Sequence, residues 1–170
     1  MDEHRLGLKP VLRRMWVPRG SDATVTVRPR YEWLYVYGFV RPQTGETFWL
    51  LLPMVNIELM TRALQEFAKA TGAGPDKRVL LVLDRAGWHV SPKVKVPVGI
   101  ELVRLPPYSP ELQPAERRWA LSDDPIANRM PTNLDELDSL LSKRCKVLME
   151  EREQVRGRTL FHWWPQVEAA

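Results

Sequence analysis

The chain has 170 residues, 44% of them hydrophobic, the size of one ordinary domain with enough apolar material for a real core. Lys and Arg number 25 against 21 Asp and Glu, a formal charge of +4 that suits an anionic partner such as DNA but speaks to association rather than to fold. The single cysteine, Cys145, excludes an intrachain disulfide and a multi-cysteine zinc site, no apolar run reaches the ~18–20 residues of a membrane span, and the charged start Met1-Asp2-Glu3-His4-Arg5 lacks a secretion signal's apolar stretch.

Residues 1–30 mix charge with scattered apolar positions, and Arg19-Gly20-Ser21-Asp22 reads as a turn. Tyr31 to Val40 is rich in aromatic and β-branched residues and reads as a strand. Pro42-Gln43-Thr44-Gly45 is turn chemistry, so Thr47 to Leu52 is the returning strand of a hairpin. Ile57, Met60, Leu64, Phe67 and Ala68 fall at three- and four-residue spacing before Gly72 and Gly74, the pattern of an amphipathic helix. Val79 to Leu83 is a continuous aliphatic run, as expected of a strand buried on both faces, and it stops at Asp84. A second run, Ile100 to Leu105, closes at Pro106-Pro107. Pro114 suits the first turn of a short helix carrying Glu116 and Trp119 and ending near Asp123-Asp124-Pro125. Thr132 and Asp135 resemble a capping box for a helix with Leu134, Leu137, Leu141, Cys145 and Leu148 on one face. The aromatic tail Phe161-His162-Trp163-Trp164-Pro165 has no assigned structure. This order of elements predicts an α/β fold, a mixed sheet flanked by helices.

Two acids stand out. Asp84 directly follows five aliphatics, at the carboxyl end of a strand, where α/β folds gather ligands, although a turn or helix-capping role fits that position equally well. His89, five residues on, fits a structural hydrogen-bonding role more often than a catalytic one. Glu116 ends a stretch, Leu105 to Ala115, stiffened by four prolines (Pro106, Pro107, Pro110 and Pro114), and a rigid approach of this kind can deliver a carboxylate to a metal with little play. A surface glutamate paired with an arginine is the plainer alternative.

Three motifs carry a resemblance. Asp2-Glu3 stands near Gly7-Leu8, Leu83-Asp84 is followed by Ala86 and His89, and residues 105–119 read Leu-Pro-Pro-Tyr-Ser-Pro-Glu-Leu-x-Pro-x-Glu-Arg-x-Trp. In this order they resemble the mariner-like superfamily of DDE transposases, with the bacterial insertion-sequence branch the best fit. The resemblance extends over most of residues 1–165, taken as one catalytic domain, with 166–170 a C-terminal tail. It implies a ribonuclease H-like fold and a site in which Asp2, Asp84 and Glu116 are both the catalytic residues and the ligands of two Mg²⁺ ions, with Mn²⁺ able to substitute. Thirty-one residues separate Asp84 from Glu116, near the family's spacing, and Glu111 matches a position that is not the catalytic acid. His89 then becomes a candidate to support the ligands from behind. Arg85, Lys93, Lys95, Arg117 and Arg118, close in sequence to the acids, are candidates for DNA phosphates. Tyr108 and Ser109 are assigned to packing and loop shape, and the reaction, strand cleavage followed by attack of a freed 3′-hydroxyl on target DNA, needs no covalent protein–DNA link.

The resemblance also implies DNA partners (element ends and target), a homodimer when active, no membrane, and a place in the bacterial cytoplasm with the nucleoid. Family members carry an N-terminal helix-turn-helix region and a full strand before the first catalytic aspartate. With that aspartate at residue 2, the first strand is expected to be truncated, and the chain to be a second reading frame joined to an upstream helix-turn-helix product, or a decayed fragment. A non-catalytic DNA-binding or interaction remnant is the alternative function, and a ribonuclease acting on RNA–DNA hybrids a third.

Overall fold

In a computed structural model, residues 1–22, 24 and 30–164 are described. Three strands, β1 (Asp2–Gly7), β2 (Trp33–Arg41) and β3 (Glu46–Leu52), form an antiparallel sheet in that order. Two more, β4 (Val79–Leu83) and β5 (Ile100–Arg104), pair in parallel. The two sheets meet edge to edge where the backbone nitrogen of Met1 donates to the Val82 carbonyl. Helices α1 (Ile57–Thr71), α2 (Gly87–Val90), α3 (Trp119–Ser122), α4 (Leu134–Glu150) and α5 (Arg152–Thr159) complete the chain.

The period of two along each strand sorts side chains onto two faces, and each face has its own helix. On one face Tyr37 and Phe39 pack on Met60, Ala63, Leu64 and Phe67 of α1 and on Leu81 and Leu83 of β4, with the Phe39 and Phe67 rings stacked at 4.2 Å. On the other face Leu6 and Val36 pack on Leu137, Leu141 and Cys145 of α4 and on Trp119 of α3. Each large aliphatic buried this way contributes on the order of 1.5–3 kcal/mol, which is what holds both helices down. The α1 apolar stripe fits the expected pattern, and the helix is closed at its ends by Asn56, whose Oδ1 accepts from Leu59 N, and by left-handed Gly72.

The structure departs from the sequence reading in several places. β1 lies in a segment whose mixed charges gave no strand signal. β4 is buried on one face only, since Leu81 and Leu83 are covered while Leu80 is 65% exposed. The α4 capping box is Asn133 with Glu136, one residue beyond the expected pair. Asn133 Oδ1 accepts from Glu136 N, and the Glu136 carboxylate accepts from the Thr132 amide and hydroxyl. Asn is as good a cap as Thr, and the spacing of three is preserved. Glu116 lies in a 3-10 turn, Glu116–Arg118, that runs into α3 rather than in one regular helix. The turn near Gly20 forms through Ser21 N donating to Pro18 O. The expected tail, residues 166–170, lies outside the described residues.

The β2–β3 hairpin turns at Gly45, φ +71°, where an added Cβ would also stand 1.9 Å from the Arg152 carbonyl oxygen at the start of α5. Backbone cannot yield as a side chain can, so Gly45→Ala is expected to cost more than about 2 kcal/mol and to lower the melting temperature by roughly 4 °C or more. Thermal unfolding followed by circular dichroism measures it, and an unchanged midpoint would contradict this account of the turn.

Candidate active site

The site grows from β1. Asp2 and Glu3 are neighbours in sequence and therefore point to opposite faces. Asp2 stands in a cross-strand row with Gly38 of β2 and Trp49 of β3. Its Oδ2 accepts a 2.8 Å hydrogen bond from the Trp119 indole nitrogen, and its Oδ1 accepts from the Glu3 amide. The proline-rich stretch is fastened to the same strand, because the buried Gln113 side chain donates to the Met1 carbonyl at 2.8 Å.

Glu3, on the other face, meets α2. Its Oε1 lies 2.8 Å from His89 Nε2 and accepts from the Trp88 indole at 3.3 Å. The other ring nitrogen, His89 Nδ1, lies 2.6 Å from Asp84 Oδ1. With a carboxylate oxygen at each nitrogen, only an imidazolium can donate to both. Burial pushes the His89 pKa down, but the hydrogen bond and charge of Glu3, then the charge and hydrogen bond of Asp84, carry it above its ordinary value. Asp84 Oδ1 also accepts from the Ala86 amide, so the turn-forming role of this residue is present together with its position at the end of β4.

Asp2, Asp84 and Glu116 line one cleft of about 420 Å³, with Arg85 and the 105–110 segment forming its wall. The Glu116 carboxylate makes no hydrogen bond or ion pair among the described residues, which sets aside the plainer reading of a surface Glu–Arg pair. Burial, then the charges of Asp2 and Asp84, push its pKa up. These oxygen donors suit a hard cation, and an unpaired glutamate facing two other acids is the kind of group such an ion would relieve. Among the described residues no three acids, histidines or cysteines converge closely enough to enclose a metal by themselves. Mg²⁺ is ordinarily held by one or two carboxylates with water and substrate phosphates completing its shell, so an open arrangement fits it.

The basic candidates separate. Arg85 is exposed on the cleft wall, its Nε donating to the Leu105 carbonyl. Lys93 and Lys95 are exposed after α2, and Arg117 is exposed with its guanidinium 4.6 Å from the Phe161 ring centre. Arg118 is different. It is fully buried, so it is not on a surface that phosphates could reach. Tyr108 departs from its expected packing role: its side chain is fully exposed on the cleft wall and its backbone is left-handed, φ 57°. Glu3, Gln113 and Trp119 received no site role from the sequence, although Glu3 and Trp119 stand in its motifs, and only the position of Glu3 beside Asp2 on an alternating strand could have signalled one.

Comparisons with known proteins bear on this arrangement. A sequence model of the family described as DDE superfamily endonuclease matches residues 1–138. An uncharacterized Sinorhizobium fredii protein, y4pE/y4sA, is 35% identical over 132 residues, covering 77% of this chain and 96% of its own length. Among solved structures, the mariner Mos1 paired-end complex with Mg is similar with a TM-score of 0.60 at 18% identity, over 92% of this chain and 51% of that one. The Mos1 strand transfer complex gives 0.56 at 18% identity, over 94% and 53%. The chain thus spans about half the length of these Mos1 chains, and at this identity the likeness shows the fold, the expected ribonuclease H-like one.

Two outcomes follow from the charges. A histidine whose folded pKa is raised adds stability that is complete below its unfolded value, ~6.5, and disappears as pH rises through the folded value. The melting-temperature gap between the wild-type chain and His89→Asn should therefore be widest near about pH 6 and shrink toward about pH 9; a gap that grows with pH would contradict the imidazolium bridge. For Glu116 the sign is reversed, because a raised carboxylate pKa penalises the folded state above that pKa. Without divalent ions, Glu116→Gln should raise the melting temperature at neutral pH, by under about 3 °C since solvent at the cleft mouth screens the charge, and leave it unchanged in acid.

Proposed function

Since this chain belongs to the DDE superfamily endonuclease family, we propose that it is the catalytic part of a DNA transposase, which cleaves DNA strands and joins freed 3′ ends to target DNA in a divalent-ion-dependent reaction. The observation that carries this reading is the gathering of Asp2, Asp84 and Glu116, from β1, the end of β4 and the proline-led turn, on one open cleft. The strand transfer and paired-end complexes that the Mos1 structures are named for support chemistry of this kind, and the proposal takes two copies of the chain as the active unit.

Two Mg²⁺ ions, or Mn²⁺ in their place, would be held by Asp2, Asp84 and Glu116 and would supply activation of the attacking oxygen and neutralisation of phosphate charge. The chain's own residues do the positioning. His89, pinned by Glu3, fixes the rotamer of Asp84, and the Trp119 indole fixes Asp2. Prolines on both sides of Tyr108 keep the cleft wall in shape, while the exposed Tyr108 ring and the Arg85 guanidinium stand where a DNA strand entering the cleft would pass. Lys93, Lys95 and Arg117 are the surface cations placed to meet phosphates, which gives sequence-tolerant, salt-sensitive binding. A reaction on element DNA places the protein in the bacterial cytoplasm with the chromosome, and no helix among the described residues is long and apolar enough to cross a membrane.

Supercoiled plasmid incubated with the purified chain and Mn²⁺ tests the proposal. Nicking should fall at least ~100-fold in Asp84→Asn and in Glu116→Gln, equivalent to ~2.7 kcal/mol of barrier, and by about 10–100-fold in His89→Gln, which loosens Asp84 without removing a ligand. Tight DNA binding with no nicking by the wild-type chain would instead establish a non-catalytic binding remnant.

A further inference from the structure

Among the described residues, the buried side-chain nitrogens and oxygens with no hydrogen-bond partner all belong to Arg118: Nε, Nη1 and Nη2. An unpaired buried cation is costly, and an apolar side chain of similar length would fill the same space at less expense. The seat of this guanidinium is specific. It lies over Gly38, where a Cβ would come within 1.9 Å of Nη2, so the missing side chain is what admits it. It is flanked by the faces of Trp49 and Trp119, at 4.6 and 4.4 Å from their ring centres. Gly38 is the cross-strand partner of Asp2, and Trp119 is the residue whose indole donates to Asp2. The cation therefore stands one strand away from the first carboxylate, with no acid of the described residues in ion-pair contact and a shared indole between them.

We propose that Arg118 is a built-in counter-cation of the carboxylate cleft: a positioning residue that balances Asp2 and Glu116 when no divalent ion is present and that weakens the cleft's hold on such ions. The inference rests on the proposed function, since it treats the acids as ion ligands. The physical route is twofold. Charge acts through the poorly screened interior on the buried Asp2 and, more weakly, on the exposed Glu116, and a cation on the indole face draws electron density from the ring, which strengthens the N–H···O bond to Asp2. The two indoles shield the guanidinium from water, so its field is directed to the acids.

The test is Mn²⁺ titration of the full chain, read as binding affinity rather than activity, together with a double-variant cycle read by thermal unfolding. Arg118→Met should bind Mn²⁺ about 3–10-fold more tightly than the wild-type chain, and Arg118→Lys, which keeps the charge, should stay near wild type. Affinity in Arg118→Met within about twofold of wild type, a change too small for an unscreened unit charge, would overturn the ion-weakening role. For the balancing role, Asp2→Asn combined with Arg118→Met should melt higher than Arg118→Met alone, including where the single variant fails to fold, because the acid left unbalanced is gone. Simply additive losses, or a double variant no more stable than the single one, would reduce Arg118 to space-filling and overturn that role. If the wild-type chain takes up no Mn²⁺, the proposed function fails together with the ion-weakening role, and the cycle still decides the balancing role.

Discussion

Side chains along a strand alternate between faces, and in β1 this alternation separates two adjacent acids and gives each a different task. Asp2 faces the α4 side, where an indole aims it into the cleft. Glu3 faces the α1 side, where it holds an imidazolium that in turn holds Asp84. A one-residue slip in the pairing of β1 with β2 would exchange the two and dismantle both halves of the site. The register is held by Leu6 and Val36, buried against α4, and by Tyr37 and Phe39, buried against α1. Ordinary hydrophobic packing thus fixes where the charges go.

The second constraint is like-charge repulsion. The cleft and its backing bring together Asp2, Glu3, Asp84 and Glu116, and the described structure sets two buried cations among them, the His89 imidazolium and the Arg118 guanidinium. Each answers the acids in a different way. His89 makes short directed bonds and so determines geometry, whereas Arg118 makes none and contributes only field. Burial and the acids oppose each other at both residues: the acids prevail at His89, while burial brings the Arg118 pKa down to about 9. The Glu116 carboxylate receives no directed bond from either cation and stands exposed on the cleft, its pKa raised by burial and by Asp2 and Asp84.

The parts of this fold that could be read from the sequence are those with a repeating pattern. The hairpin, the α1 stripe, the span of β4 and the buried face of α4 all follow from periods of two or 3.6 and from turn residues. Local pattern does not show β1 because four of its six residues are charged or histidine, and Asp2, Glu3 and His4 are covered only through partners far along the chain. Asp84 could be located by its place after an aliphatic run, and Asp2 and Glu116 through the resemblance carried by their motifs. The residues that complete the site could not be found in this way. Trp119 and Glu3 stand in their motifs with no role attached, and Arg118 reads as a candidate for DNA phosphates. What changes each reading is a single distant residue: Asp2 for Trp119, His89 for Glu3, and for Arg118 the absent side chain of Gly38. Local pattern carries no information about such pairs.

The bonds that assemble the cleft close very long loops. Trp119 reaches back 117 residues to Asp2, Gln113 reaches 112 to Met1, and His89 reaches 86 to Glu3. Loops of this size form late, because chain entropy must be overcome before the contact rewards it. During synthesis the amino-terminal acids leave the ribosome well before Gln113 and Trp119 exist. A nascent or prematurely ended polypeptide therefore has its first carboxylates but no means of aiming them. The cleft is thus assembled only once residues as far along as Trp119 are available to close it.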